Sequence, residues 1–310
     1  MKTLVIFLLS LCFFNTKAQL ESGRKIEAWV TTNDRSSPFK KQAETIHFSH
    51  KQKRWGAPIV VDDQQTYQTI DGFGFALTGG SAEHLIKMQP GERAKILEEL
   101  FSRDENNIGV SYIRLSIGAS DLNSFVFSYN DLKKGETDYE LKKFSLSQDL
   151  NDVVPVMKEI LNLNPDIRIL GSPWSAPTWM KTNEDVRGGK LKEECYDVYA
   201  RYFVKYILAM QAEGITIDAI TIQNEPLHPG NNPSMFMPDT AQADFIKKSL
   251  GPAFVANKIK TKIIVYDHNA DRPDYPMTIY KDKEAARYVD GAAFHLYGGK
   301  IDALTEVHNS

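Results

Sequence analysis

Beyond Ile70, short apolar runs alternate with amphipathic helical stretches, and this alternation limits the possible folds more than any other feature. The strand-like runs span 74–78, 112–117, 167–171, 219–222, 263–266 and 292–294. Helical stretches are expected at 81–88, 91–101, 148–161 and 193–213. In the last of these, Tyr199, Tyr202, Phe203, Tyr206, Ile207 and Met210 recur at the helical period and form one apolar face. Such a stripe reads as packing against a sheet, not as a cofactor box. Short apolar strands separated by helices imply a parallel sheet covered on both faces.

About six strand–helix units can be counted, with no internal repeat and no glycine fingerprint for a dinucleotide or phosphate loop. A (β/α)8 barrel needs eight units and typically ~250 residues. The sixth strand ends near Tyr297 and the sequence stops at Ser310. The fold class is therefore α/β, an incomplete (β/α)8 TIM barrel. Upstream, residues 25–70 are polar and rich in turns, with strands expected at 29–32 and 59–61 as part of a small accessory β-structure.

The amino terminus reads as a secretory signal peptide: Lys2, an apolar run from Leu4 to Phe14, then Thr16-Lys17-Ala18 as a small-residue cleavage site. The run is too short to cross ~30 Å of hydrocarbon, and the bulky Leu11 argues against a lipid anchor on Cys12. The organisation is thus 1–18 signal peptide, 19–66 accessory β-structure and 67–310 barrel, with the mature protein secreted or periplasmic. Cleavage would leave Cys195 alone, so no internal disulfide forms and Cys195 packs as a small apolar residue. Net charge is −3, from 37 Lys+Arg against 40 Asp+Glu spread along the chain. Without a basic block, a nucleic-acid partner has no support.

Polar side chains follow each strand: Arg114, Asp121 and Asn123, then Trp174, then Asn224 and Glu225, then Asp267 and His268, then His295 and Tyr297. Parallel strands deliver all of them to one rim, where barrel active sites lie. Trp174, Trp179, His295 and Tyr297 are expected there as exposed aromatics, which are costly unless something stacks on them. In Gln223-Asn224-Glu225-Pro226, Pro226 cannot donate to a ladder, so pairing stops and Glu225 projects into the mouth.

Asn-Glu-Pro on the fourth barrel strand resembles the acid/base site of retaining barrel glycosidases. The segment Leu170-Gly171-Ser172-Pro173-Trp174-Ser175-Ala176-Pro177-Thr178-Trp179-Met180-Lys181-Thr182-Asn183 resembles the strand-three loop of glycoside hydrolase family 30. Gly72-Phe73-Gly74, Tyr112-Ile113-Arg114 and Ala200-Arg201-Tyr202-Phe203-Val204-Lys205 agree with it, and the likeness runs from Gln68 to Tyr297. That family contains glucosylceramidases, other β-glucosidases, β-xylosidases and endo-β-1,6-glucanases. The resemblance implies a barrel with a β-sandwich built from both chain ends. It also implies a retaining double displacement by two carboxyl groups ~5–5.5 Å apart, with no cofactor and no metal. Glu225 would be the acid/base, and Trp174 and Asn224 would line the subsite of the cleaved sugar. Arg114 would lie beside the carboxylates, with His295 and Tyr297 flanking the nucleophile.

Two departures matter. The family's nucleophile is a Glu at the end of strand seven; the nearby Glu306 falls in a helical stretch, 303–307, facing away from the rim. Residues 1–310 are therefore expected to be the first part of a longer product, inactive alone. Glucosylceramidases also carry Asp after the strand-one Thr and Trp between the His and Tyr of strand six, where this chain has Thr78-Gly79-Gly80 and Leu296. Losing that carboxylate removes charge-assisted hydrogen bonds worth ~1.5–3 kcal/mol. A glucosylceramidase-like β-glucosidase and an endo-β-1,6-glucanase both remain open, and so does a carbohydrate-binding pseudoenzyme. The expected partner is a β-linked glucoside or glucan, with no membrane span. A metal-dependent hydrolase using Asp267, His268 and His295 lacks the spacing that puts ligands on one helix face. His47, His50 and His84 read as ordinary histidines.

Overall fold

The computed structural model describes residues 25–48, 56–57, 59–104 and 107–310. The signal peptide, Cys12 and His50 lie outside them. The chain divides after Gln68 into two units. In the first, β1 (Lys25–Ile26) pairs antiparallel with β4 (Ile46–His47), and β2 (Trp29–Val30) with β3 (Lys40–Lys41). The run expected at 59–61 is not a strand: Ile59, Val60 and Val61 form no ladder, and Ile59 is 94% exposed. Strand preference is a fit to a half-buried pleated surface, and these residues lie against none.

The second unit starts with β5 (Gly74–Leu77), α1 (Gly79–Lys87) and α2 (Pro90–Phe101), followed by β6 (Tyr112–Ile117) and α3 (Val153–Leu163). Next come β7 (Arg168–Pro173), α4 (Tyr196–Ala212), β8 (Ala219–Thr221), α5 (Asp239–Phe245) and α6 (Gly251–Ala256). It closes with β9 (Lys262–Ala270), α7 (Asp274–Lys281), α8 (Lys283–Ala286), β10 (Gly291–Gly299) and α9 (Asp302–His308). All pairings in this sheet are parallel, and the strand order β5-β6-β7-β8-β9-β10 is the order of the sequence. A doubly wound sheet reverses its order part-way; this one does not, as befits a barrel wall of six units. The short helices α5 to α8 escaped the periodic reading because four to eight residues complete only about one to two turns.

Alternation along β6 sets inside from outside. Ile113, Leu115 and Ile117 are fully buried in the core beneath the helices, while Arg114 meets side chains of β7, of the turn after β8 and of β9 on the other face. The aromatic stripe of α4 is buried, and Tyr206 reaches Gly171 of β7, where a Cβ would lie 3.2 Å from its hydroxyl. The other half of the stripe packs on the loop after β6. Tyr129 from that loop stacks on Tyr202 and Tyr206 at 5.8 and 5.7 Å.

The Tyr129 hydroxyl donates to the buried Asp149 carboxyl at 2.5 Å, and burial pushes the Asp149 pKa up to about 8. The unfolded chain loses this proton near pH 4, whereas the folded protein holds it to about pH 8. The stabilising contribution is thus complete below pH 4 and is lost as pH rises toward 8. Thermal unfolding should show stability falling by up to about 1.4 kcal/mol per pH unit from this group, roughly 2–3 kcal/mol between pH 5 and 7. Asp149→Asn should flatten that dependence; an unchanged slope would mean the carboxyl is ionised in the folded state.

Candidate active site

At the carboxyl ends of the strands lies an open cavity of about 560 Å³, lined by Arg114, Trp174, Asn224, Glu225, His295 and Tyr297 among others. Of the ten residues expected at one rim, these six line the cavity together with Asp121 and His268, whereas Asn123 and Asp267 do not. A larger cavity of about 690 Å³ opens at the other strand ends, beside the Arg168–Asp218 ion pair, and contains none of these six. Polar residues there serve the stability face of a barrel.

Glu225 is held by backbone geometry before its side chain is considered. β8 pairing ends at Thr221; beyond it Asn224 N donates to Pro173 O at 2.7 Å and Glu225 N to Asp267 O at 2.9 Å. Glu225 has φ +46, a left-handed conformation that costs a non-glycine residue of order 1–3 kcal/mol. Gln223, fully buried, secures the turn by donating to the carbonyls of Trp174 and Asn224.

The carboxylate then meets two donors. His295 Nδ1 lies 3.0 Å from Oε1, and Asn231 Nδ2 donates to Oε2 at 2.8 Å. These bonds, His295 first, hold Glu225 below the usual glutamate range against the opposing effect of partial burial. The other ring nitrogen of His295 sits 3.0 Å from Asp267 Oδ1. Burial alone would lower the His295 pKa, but hydrogen bonds to Asp267 and Glu225 push it up to about 9. At neutral pH the ring is therefore an imidazolium bridging two carboxylates.

Asp267, 2% exposed, forms the base of the site. Burial would raise its pKa, yet Arg114, His295 and Ser172 together hold it well below the usual carboxylate range. Arg114 Nη2 donates to Asp267 Oδ2 at 2.8 Å, to Asn224 Oδ1 at 2.8 Å and to Ser172 Oγ at 3.0 Å. Its guanidinium lies 4.6 Å from the Trp174 ring centre, a cation–π contact. The inward turn of Asp267 comes from a bulge in β9. Tyr266 and Asp267 both have positive φ, the register with β10 shifts at Ala293/Phe294, and Tyr266 N donates to the Gln242 side chain. The extra residue flips the alternation, so Tyr266 packs on Tyr275 and Asp267 faces Arg114.

Several expectations change. Trp174 and Trp179 are not exposed aromatics: they are 6% and 5% exposed, one against Arg114 and the other donating to Asn130 in the core. Tyr297 is 88% exposed at the rim. Arg114 pairs with Asp267, a pairing the sequence did not single out. His295 directs its nitrogens to Glu225 and Asp267, and no metal-binding group of three or more His, Cys, Asp or Glu exists among the described residues. Cys195 is free and buried, its thiol pushed up to about 11 by burial. Ser172, Thr221 and Asn231 escaped notice. The signal for the first two was a hydroxyl within an apolar strand; Asn231 gave none.

Arg114, Trp174 and His268 each keep a buried nitrogen without a partner among the described residues, and all three line the cavity. Buried donors left unpaired are costly, and hydroxyl-rich ligands offer matching oxygens. A six-stranded barrel wall with a carboxylate, an imidazolium and unpaired donors at its strand ends defines a site of the hydrolase type. The chain matches the Glycosyl hydrolase family 30 TIM-barrel domain over residues 70–310 and belongs to that family.

An endo-1,6-beta-D-glucanase of Neurospora crassa is 37% identical over 262 residues, covering 81% of this chain and 54% of that protein. The lysosomal acid glucosylceramidase of Mus musculus is 32% identical over 255 residues, covering 78% and 48%. The solved endo-beta1,6-glucanase BT3312 superposes with a TM-score of 0.83 at 38% identity, covering 91% of this chain and 63% of that one. The chain thus spans about half the length of the curated relatives it matches. Among the described residues no helix is long and apolar enough to cross a membrane.

Proposed function

We propose that the protein is a retaining β-glycoside hydrolase acting within β-1,6-linked glucan chains, with Glu225 as acid/base. The observation that carries this reading is the Glu225 carboxylate itself, aimed into the cavity from a strained backbone and tied to His295 and Asn231. In the double displacement it protonates the departing oxygen, then takes a proton from the incoming water. Asn224 uses Oδ1 on Arg114, leaving its Nδ2 donors for a sugar hydroxyl.

No attacking carboxylate is assigned among the described residues. Among the described residues, Asp121 and Glu225 are the carboxylates that line the cavity; Asp267 is buried on Arg114, and Glu306 lies exposed on α9. On this reading residues 1–310 alone do not turn over substrate. A second carboxylate arriving beside Glu225 would raise its pKa and load the proton the acid needs.

Support for a glucan chain, over a terminal glucoside, comes from Gly79 and Gly80 and from the named relatives. A Cβ on Gly79 would lie 2.1 Å from Asn123 Nδ2, and one on Gly80 would lie 1.9 Å from Leu122 O. The loop after β6 therefore occupies the space of the missing carboxylate clamp and brings Asp121 to the cavity instead. Residues 1–18 are proposed to export the protein. The full-length protein should release oligosaccharides from β-1,6-glucan, with kcat/KM about 100-fold above that for p-nitrophenyl β-glucoside, because remote subsites contribute only to the chain. Glucose as sole early product would overturn endo action. Glucan binding without cleavage would favour the carbohydrate-binding alternative.

A further inference from the structure

Lys181 closes the Ser-Pro-Trp segment and plays no part in the chemistry above, yet it is 0% exposed. Its Nζ donates to Asp185 O at 2.6 Å, Val186 O at 3.2 Å and Ser234 O at 2.7 Å. Three N–H bonds meet three carbonyls, which satisfies the ammonium completely. If packing were the only need, an apolar side chain of similar volume would serve at least as well, because a buried cation is costly to desolvate. The arrangement has a geometric product instead: it joins the loop after β7 to the loop after β8.

Other bonds at the same seam show what is being held. Ser234 N donates to Val186 O at 3.0 Å, Gly188 N to Ser234 Oγ at 3.0 Å, and Ser234 Oγ to Pro229 O at 2.8 Å. Pro229 and Ser234 thus form the two fixed ends of a short turn. Asn231 lies between them and donates to Glu225 Oε2. Removing the cation leaves the carbonyls of Asp185 and Ser234 unpaired beneath one end of that turn, while Val186 O keeps only its bond from Ser234 N.

We propose that Lys181 is a positioning residue: its buried ammonium clasps the two loops and thereby fixes the Asn231 amide against the acid/base carboxylate. The role rests on the assignment of Glu225 above, but its test does not require turnover. Burial lowers the Lys181 pKa only to about 8, so the clasp is charged at neutral pH.

The experiment is a carboxyl-carbon NMR titration of Glu225 in the full chain, with the signal assigned by its loss in Glu225→Gln. Asn231→Ala should raise the Glu225 midpoint, since it removes a bond that favours the ionised form. Lys181→Met should raise it by the same amount, and Lys181→Met in the Asn231→Ala background should add nothing further. Lys181→Arg, which keeps a cation, should restore most of the wild-type midpoint. Should Lys181→Met not fold, Lys181→Gln, with two donors for three carbonyls, should give a partial shift that also vanishes without Asn231. A folded Lys181 variant whose midpoint equals wild type overturns the proposal, as does a shift that persists undiminished in the Asn231→Ala background. An inactive full-length protein would overturn the glycosidase reading and leave this result intact.

Discussion

Replacing Glu225 with Gln in the full-length protein should cut hydrolysis of β-1,6-glucan by about 10²–10⁴-fold while sparing the first step on substrates whose leaving groups need no proton. The side chain keeps its size, but its single carbonyl can accept from Asn231 or from His295 and not both, so the contrast between leaving groups, more than the overall loss, isolates proton transfer. A dinitrophenyl β-glucoside should give a burst of phenolate followed by slow turnover, because the second step still needs a base to take the proton of water. Rapid-mixing kinetics on the two substrate classes make the comparison. Equal loss in the burst phase on both would remove Glu225 from the acid role.

Arg114→Met should destabilise the protein by about 3–5 kcal/mol, because it leaves Asp267 buried and charged without its main partner. For a domain of this size that corresponds to a fall in Tm of roughly 10 °C. Adding Asp267→Asn should recover part of the loss, since the stranded charge disappears. The pH dependence is a second readout. Asp267 is held below its unfolded pKa, so its contribution is complete above about pH 4 and fades as pH falls below that. His295 is raised to about 9, so its contribution is complete below about pH 6.5 and is lost as pH climbs through 9. Calorimetry across pH 3–10 should therefore find the site most stabilising between pH 4 and 6.5. A double variant no more stable than Arg114→Met would show that the cost lies in lost Trp174 packing instead.

The site was legible wherever chain order and strand period decide position. Arg114, Trp174, Asn224, Glu225, His295 and Tyr297 reach one cavity because parallel strands in sequence order deliver their carboxyl ends to a common rim. What each does there was not legible. Arg114 was expected beside the carboxylates, but its bond to Asp267 was not foreseen; that pairing depends on a bulge, which shifts the alternation by one residue. Trp174 and Trp179 were expected to be exposed because both follow a strand. The groups that bury them, Asn130 in the loop after β6 and the Arg114 guanidinium on β6 itself, come from elsewhere in the chain. Asn231 and Lys181 left no pattern at all, since each acts through contacts to loops.

By itself, then, the amino-acid order determined the sequence of strands and helices, the parallel wall and the identity of the acid/base candidate. The first two follow from local period and chain direction, and the third from the resemblance of Asn224-Glu225-Pro226 to a glycosidase site. Tertiary structure alone decided the charge state of the site: which carboxylate Arg114 neutralises, why His295 stays protonated and how Glu225 is aimed. Those outcomes depend on burial and on separations of about 3 Å between residues as many as 153 positions apart, and no local pattern encodes them.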